Sequence, residues 1–237
     1  MNLYDDDVRA DAYSGIEFEG TYYLACRDLP EIFAEHVRGT AALDMGCGAG
    51  RSMRLLKRMG FDCIGVDIAE PMLARARRAD AEGDYRLVRD GDLSSLGDRS
   101  FDLVLAMFPL DNVATVEAKV ALLRAPHGLL HPHARIVCVV SSPDLYLHEW
   151  TSFSTKAFPE NRSARDGETI RIVMLDGGDR RPIEDTLTTD AAYRDVFRQA
   201  GYALRQTYRP LGRASDPYPW ETELHVAPWT IYVLGPV

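Results

Sequence analysis

Nine residues, Leu43-Asp44-Met45-Gly46-Cys47-Gly48-Ala49-Gly50-Arg51, constrain this chain more than any other stretch. They are entered through a short apolar run, residues 40–45. They are left through residues 51–59, where Met53, Leu55, Leu56 and Met59 recur at helical spacing until Gly60 stops them. A glycine-rich turn between a strand and a helix is the first turn of a βαβ unit, and its glycines let the backbone approach a ligand closely. The spacing narrows the choice of ligand. The dinucleotide fingerprint would need glycine at position 51, where Arg51 stands. No Gly-Lys-Ser/Thr follows, so the phosphate loop of nucleotide hydrolases is absent as well.

The same rhythm continues downstream. Residues 63–68, 85–88, 101–108 and 135–140 read as strands, with helices at 71–79 and 116–123 among them. A helix is expected at 21–37, broken near Pro30. Strands alternating with helices imply right-handed crossovers and a parallel sheet, and near-continuous apolar strands imply a sheet buried on both faces. After Ser142 the alternation lapses. Residues 169–175 and 183–189 flank the turn Asp176-Gly177-Gly178-Asp179 and read as a β-hairpin. A helix at 190–200, stopped by Gly201, a strand near 203–209 and a last strand at 229–234 resume the pattern. The expectation is an α/β fold with a seven-stranded, mostly parallel sheet, helices on both faces and a β-hairpin insertion after the fifth strand. The insertion and the long connection 212–228 are the natural cap over the sheet.

At about 150 residues per domain, 237 residues make one large domain. Lys and Arg number 27 against 36 Asp and Glu, a net charge of −9, which argues against a nucleic-acid partner because such proteins concentrate a basic face. Cys26, Cys47, Cys63 and Cys138 form no Cys-x-x-Cys pair, so zinc-ribbon and thioredoxin readings fail on spacing. The acidic start, Met1-Asn2-Leu3-Tyr4-Asp5-Asp6-Asp7, has no apolar core of a signal peptide, and no run of 18 apolar residues predicts a membrane span. A reduced, cytoplasmic enzyme is expected.

The glycine stretch resembles motif I of the class I S-adenosylmethionine-dependent methyltransferases, Asp-x-Gly-x-Gly-x-Gly, with Asp44, Gly46, Gly48 and Gly50 in place. Val66-Asp67-Ile68-Ala69-Glu70-Pro71-Met72-Leu73 is similar to the second-strand motif of the same family. The resemblance covers residues 40–140 and implies a Rossmann-like fold with an antiparallel last strand. It also implies S-adenosyl-L-methionine as cofactor. On it, residues 1–39 are an N-terminal helical cap, 40–142 the cofactor-binding core, 143–189 an inserted substrate cap and 190–237 the completion of the sheet, all within one domain. Cys47 belongs to the glycine loop, and Asp67 is expected to hold the ribose hydroxyls. Ile68 and Met72 should pack on the adenine. Asp92, in Asp90-Gly91-Asp92-Leu93, should accept from the adenine amino group while Leu93 offers its amide, with Asp90 as the alternative to Asp92. Met107 should line the cofactor mouth. Tyr13, Tyr23 and Arg27 are candidates for an N-terminal cover, Arg27 for the methionine carboxylate.

On the acceptor side, Phe108 ends the fourth strand, and Tyr146, His148 and Trp150 follow the fifth. His148 is the candidate general base; Phe108, Tyr146, Trp150, His225 and Trp229 are candidate pocket walls. His127, His131 and His133 do not present a tetrahedral ligand set, and no metal is expected. Met107-Phe108-Pro109-Leu110 stands where an Asn-Pro-Pro-Tyr-type tetrapeptide would mark adenine or glutamine-amide methylation. The expected reaction is methyl transfer to an oxygen or nitrogen of a small molecule or short peptide. Carboxylate methylation of a peptide or protein, and a non-catalytic cofactor-binding regulator, remain as alternatives. The oligomeric state is not legible in the sequence.

Overall fold

A computed structural model describes residues 11, 15–89, 91–176 and 178–237. Tyr13 and Asp90 lie outside the described residues. The main-sheet strands are β1 (Ala41–Met45), β2 (Asp62–Asp67), β3 (Asp84–Leu87), β4 (Phe101–Met107), β5 (Leu130–Ser141), β9 (Tyr202–Tyr208) and β10 (Trp229–Pro236). They lie in the order β3-β2-β1-β4-β5-β10-β9. The first five are parallel to one another, and β10 runs antiparallel to both of its neighbours. Chain order reverses direction at β1, which has β2 on one side and β4 on the other. The crevice beyond the carboxyl ends of such a pair is where open α/β sheets bind ligands.

The helices are α1 (Tyr23–Cys26), α2 (Leu29–His36), α3 (Arg51–Arg58), α4 (Glu70–Ala79), α5 (Val116–Arg124) and α6 (Asp190–Ala200). They explain why the strands are apolar at consecutive positions. Leu103, Leu105 and Met107 of β4 pack with Leu24, Leu29, Phe33, Met53 and Leu56 on one face. Val104 and Ala106 pack with Val120 and Leu123 of α5 and Val196 and Phe197 of α6 on the other. Every residue of β4 is buried. Each large apolar side chain removed from water in this way contributes about 1.5–3 kcal/mol before entropy is counted.

The insertion forms its own antiparallel sheet of β6 (Phe153–Ser154), β7 (Thr169–Met174) and β8 (Ile183–Thr186). The expected hairpin is present. β6 has only two residues and carries no period that a sequence could show. Phe153, Ile170, Ile172, Met174 and Ile183 join the core on the α1–α3 side of the main sheet, so the insertion is a continuation of that core. The N-terminal segment is tied down beside it. Thr21 Oγ1 donates to Glu223 Oε1 at 2.6 Å, Thr21 N to Ser152 Oγ at 2.9 Å, and Trp229 Nε1 to Thr21 O at 2.8 Å.

Two local readings change. The N-terminal break falls at Arg27 and Asp28, and Pro30 sits in the first turn of α2, where a missing N–H costs no helical hydrogen bond. The segment His131-Pro132-His133, ahead of the strand expected at 135–140, is extended and belongs to β5. Its pairing with β4 passes from Phe101↔Leu130 to Leu103↔Arg135 through a register shift, and Pro132 lies in that irregular stretch. No helix among the described residues is long and apolar enough to cross a membrane.

Candidate active site

A cavity of about 740 Å³ opens at the carboxyl ends of β1, β2 and β4 and runs beneath the insertion. The glycine loop forms one end. Gly46, Gly48 and Gly50 have φ of 74°, 53° and 80°, a left-handed backbone that costs other L-residues about 1–2 kcal/mol apiece. Space adds to the demand at two of them. A Cβ on Gly46 would stand 2.7 Å from Pro109 Cβ, and one on Gly50 would stand 2.6 Å from the Tyr85 hydroxyl. Gly50 caps α3 from behind, and the cavity itself is lined by Gly46, Cys47, Gly48 and Ala49.

Asp67 at the end of β2 locks this loop. Its Oδ2 accepts from Gly48 N at 2.8 Å and its Oδ1 from Ala69 N at 2.8 Å. Burial raises its pKa, and these backbone amides oppose the rise. Each carboxylate oxygen has a second lone pair, which leaves Asp67 able to accept from a ligand hydroxyl. Ile68, 64% exposed, and Met72 line the cavity beside it. Cys47 is buried against Gly65, and burial pushes its thiol well above the ordinary range, so it serves as packing. Asp44 lies wholly inside the protein below the loop. Its Oδ2 accepts from Ser52 of α3, its Oδ1 has no partner, and burial raises its carboxyl to about 7.

Beyond the loop the walls are aromatic. Tyr22, Phe108, Phe153 and Trp229 meet at centroid distances of 4.9–5.8 Å and all face the cavity. Phe108 holds φ of 70°, the one non-glycine positive φ among the described residues, and bulky residues occupy that region only where their surroundings impose it. Arg51 enters from the first turn of α3. Its guanidinium carbon lies 4.6 Å from the Tyr22 ring centroid and 5.2 Å from that of Phe18.

The cavity gathers Gly46, Cys47, Gly48, Asp67, Ile68, Met72, Leu93, Met107, Phe108 and Trp229 from the residues singled out in the sequence. Others stand elsewhere. Tyr23 packs against Tyr218 and Trp220. Arg27 binds Asp28 at 2.7 Å and Asp216 at 3.2 Å, and the Asp28 carboxylate raises its pKa. Committed to these carboxylates, the Arg27 guanidinium does not line the cavity; Arg51, directly after the third glycine, does. Asp92 is exposed and accepts from Ser94 N at 2.8 Å, so it caps a local turn, while Gly91 and Leu93 reach the cavity.

The acceptor side changes most. His148 and His225 line a different cavity of about 610 Å³, with Asp144, Asp190 and Arg209. Among the described residues, only Ser141 borders both. Trp150 is fully buried, its Nε1 donating to Leu145 O at 2.8 Å, and is a core residue. Tyr146 is buried behind the cavity wall and donates to Asp185 Oδ2 at 2.8 Å. Asp185 and Asp111 line the cavity and were not singled out in the sequence. Asp111 lies in the segment just beyond β4, and that closeness to the carboxyl end of a strand was the signal available for it. Asp185 sits in a hairpin, where nothing local distinguishes it from Glu184.

Glycine loop, acidic end of β2, switch-point cavity and sheet order are together similar to those of the class I S-adenosylmethionine-dependent methyltransferases that the sequence resembles. Residues 43–138 match the family model described as a methyltransferase domain. The ubiquinone biosynthesis O-methyltransferase of Cereibacter sphaeroides is 37% identical over 105 residues, 43% of this chain and 41% of that protein. The chain thus matches about two fifths of that relative's length. The N-demethylindolmycin N-methyltransferase of Streptomyces griseus is 30% identical over 168 residues, 70% of this chain and 63% of that protein. The CcbJ methyltransferase of Streptomyces caelestis superposes with a TM-score of 0.64 at 17% identity, covering 94% of this chain and 100% of that one. DesVI of Streptomyces venezuelae gives 0.63 at 19% identity, covering 97% and 98%. These two likenesses are of fold.

Proposed function

We propose that the protein transfers the methyl group of S-adenosyl-L-methionine to a nitrogen or oxygen of a small molecule. The observation that carries the reading is a single cavity with the glycine loop at one end and an aromatic chamber at the other. The loop end fits the cofactor. Left-handed glycines present flat backbone, Asp67 stands at ribose reach, Ile68 and Met72 form an apolar slot for the adenine, and Leu93 lies nearby. Arg51 is the cation for the methionine carboxylate, its fork held by aromatic faces.

The bound cofactor supplies an activated methyl whose leaving group is a neutral thioether, so no acid is needed to expel it. The protein's share is positioning. Phe108, Trp229, Tyr22 and Phe153 hold an acceptor flat against the loop end and exclude water. Bringing the reacting atoms to about 3–3.5 Å in line is the main source of rate in such a site. A chamber of this size, walled on one side by the insertion, suits a small molecule better than a folded protein or a nucleic acid, and the net charge of −9 agrees. The N-methyltransferase of Streptomyces griseus matches a longer part of the chain than the ubiquinone enzyme of Cereibacter sphaeroides does, which favours nitrogen. Four free thiols are consistent with a cytoplasmic setting.

Titration calorimetry tests the reading. S-adenosylmethionine and its demethylated product should bind, and NAD and ATP should not. Binding of NAD without S-adenosylmethionine ends it.

A further inference from the structure

Resting on the methyltransferase reading, we infer that Asp185 is the residue that binds the acceptor and takes its proton, and that the acceptor is a primary or secondary amine on an apolar, aromatic-sized body.

The argument starts from charge. Asp111 and Asp185 both line the acceptor half of the cavity. Asp111 is fully engaged by protein. Its Oδ2 accepts from Ser141 N at 3.0 Å and Ser141 Oγ at 2.9 Å, and its Oδ1 from the Tyr193 hydroxyl at 3.0 Å. These bonds favour its charged form against the burial that raises its pKa. Asp185 is held by one bond only, from the Tyr146 hydroxyl to Oδ2. No described residue donates to its Oδ1. A carboxylate in an apolar chamber with one oxygen left over is short of a donor, and a ligand N–H supplies it.

The groups facing Asp185 are few. Asp111 approaches from the segment after β4, Tyr146 from the segment after β5, and Lys119 from α5. Glu184, its neighbour on β8, borders the cavity too, but it is exposed and its charge is paired with Arg171 of β7 at 3.1 Å. Lys119 is buried, and its ammonium donates to Leu110 O and Val113 O. Two carboxylates against one lysine leave this end of the chamber a positive charge short. An ammonium meets that need, while a carboxylate acceptor would place a third negative charge there. The aromatic faces of Phe108 and Trp229 suit the apolar body of such a molecule.

Burial and the neighbouring Asp111 raise the Asp185 carboxyl to about 7, near the value at which a base works best at neutral pH. The step balances. One N–H proton of the ammonium passes to the Asp185 carboxylate. The freed lone pair forms the N–C bond as the sulfonium C–S bond breaks, and sulfur keeps the bonding pair. The proton on Asp185 then leaves to water, and the methylated amine departs as its ammonium.

The test separates this inference from the reading beneath it. S-adenosylmethionine binding is measured first by calorimetry; its absence overturns both. Transfer of radiolabelled methyl is then followed to a panel of arylalkylamines and to matched phenols, alcohols and carboxylates. Amines should be the methylated class. Asp185→Asn should leave the S-adenosylmethionine Kd within about twofold and lower kcat by about 100- to 10,000-fold, the usual range for a lost general base. Wild-type kcat/KM should fall as pH drops through about 7. Tyr146→Phe, which keeps the carboxylate and removes a bond that favours its charged form, should move that limb upward, and it provides the test if Asp185→Asn does not fold. Methylation of the phenols, alcohols or carboxylates alone, no transfer to any amine, wild-type turnover in Asp185→Asn, or an unmoved limb in Tyr146→Phe would each overturn the inference while leaving cofactor binding intact.

Discussion

Gly48 donates its backbone N–H to Asp67 Oδ2 at 2.8 Å, and this bond stitches the loop after β1 to the end of β2. The carboxylate therefore shapes the loop as well as facing the cavity. Asp67→Ala should weaken S-adenosylmethionine binding by about 1.5–3 kcal/mol, the range for hydrogen bonds to a charged group. Calorimetry reads the change, and an unaltered Kd would show that neither contact matters to the ligand.

Gly46→Ala tests the loop from the backbone side. Its left-handed φ and the approach of Pro109 leave no room for a methyl group. The backbone conformation alone costs about 1–2 kcal/mol, and the loop must shift to relieve the contact. Lower Tm and loss of the ligand-induced rise in Tm are the expected results. Ligand binding to the native state normally stabilises it by mass action, so the missing rise reads the lost site directly.

Arg51→Met keeps the stem that lies among Phe18, Tyr22 and Phe108 and removes the charge. It should weaken binding of S-adenosylmethionine and of its demethylated product alike, by about 1.5–3 kcal/mol, because both carry the same carboxylate. Arg27→Met, whose parent pairs with Asp28 and Asp216, should leave both affinities unchanged. The opposite ranking in calorimetry would return the role to Arg27.

Asp44 carries a pH signature in stability. Burial raises its folded-state carboxyl to about 7, against about 3.9 in an unfolded chain. Between those values the folded state alone holds the proton, so this group's penalty on stability grows as pH rises from about 4 and is complete above about 7. Asp44→Asn removes the dependence. Denaturant titrations at pH 5 and pH 8 should show the variant gaining on the wild type at the higher pH, and a constant difference would mean that Asp44 is ionised in the fold throughout.

His148→Ala should leave turnover within about twofold of wild type, since general-base loss, at about 100-fold or more, would demand contact with the acceptor. His148 lines the neighbouring cavity, against the edge of Trp150 at 6.1 Å. A steady-state assay with an accepted amine decides it.

The order of strands and helices, the glycine loop and Asp67 were legible in the sequence because their causes are local. Left-handed turns demand glycine at Gly46, Gly48 and Gly50, and residues at the end of a strand emerge at the ligand edge of the sheet whatever else surrounds them. Phe108 was found for the same reason, as the residue at the carboxyl end of β4, and Trp229 as the residue that opens the last strand.

His148, Tyr146 and Trp150 share a segment with the carboxyl end of β5, yet they separate in space: one lines a second cavity, one backs the wall and one fills the core. Asp185, 74 residues from Asp111, comes to the same chamber. What the sequence by itself determined is the sheet and the cofactor end, through steric rules that act between neighbours along the chain. What only the tertiary structure decided is the acceptor end. There the direction of each side chain depends on how a short three-stranded insertion packs on a distant face, and the ionisation of each carboxyl depends on burial and charges that no spacing along the chain records.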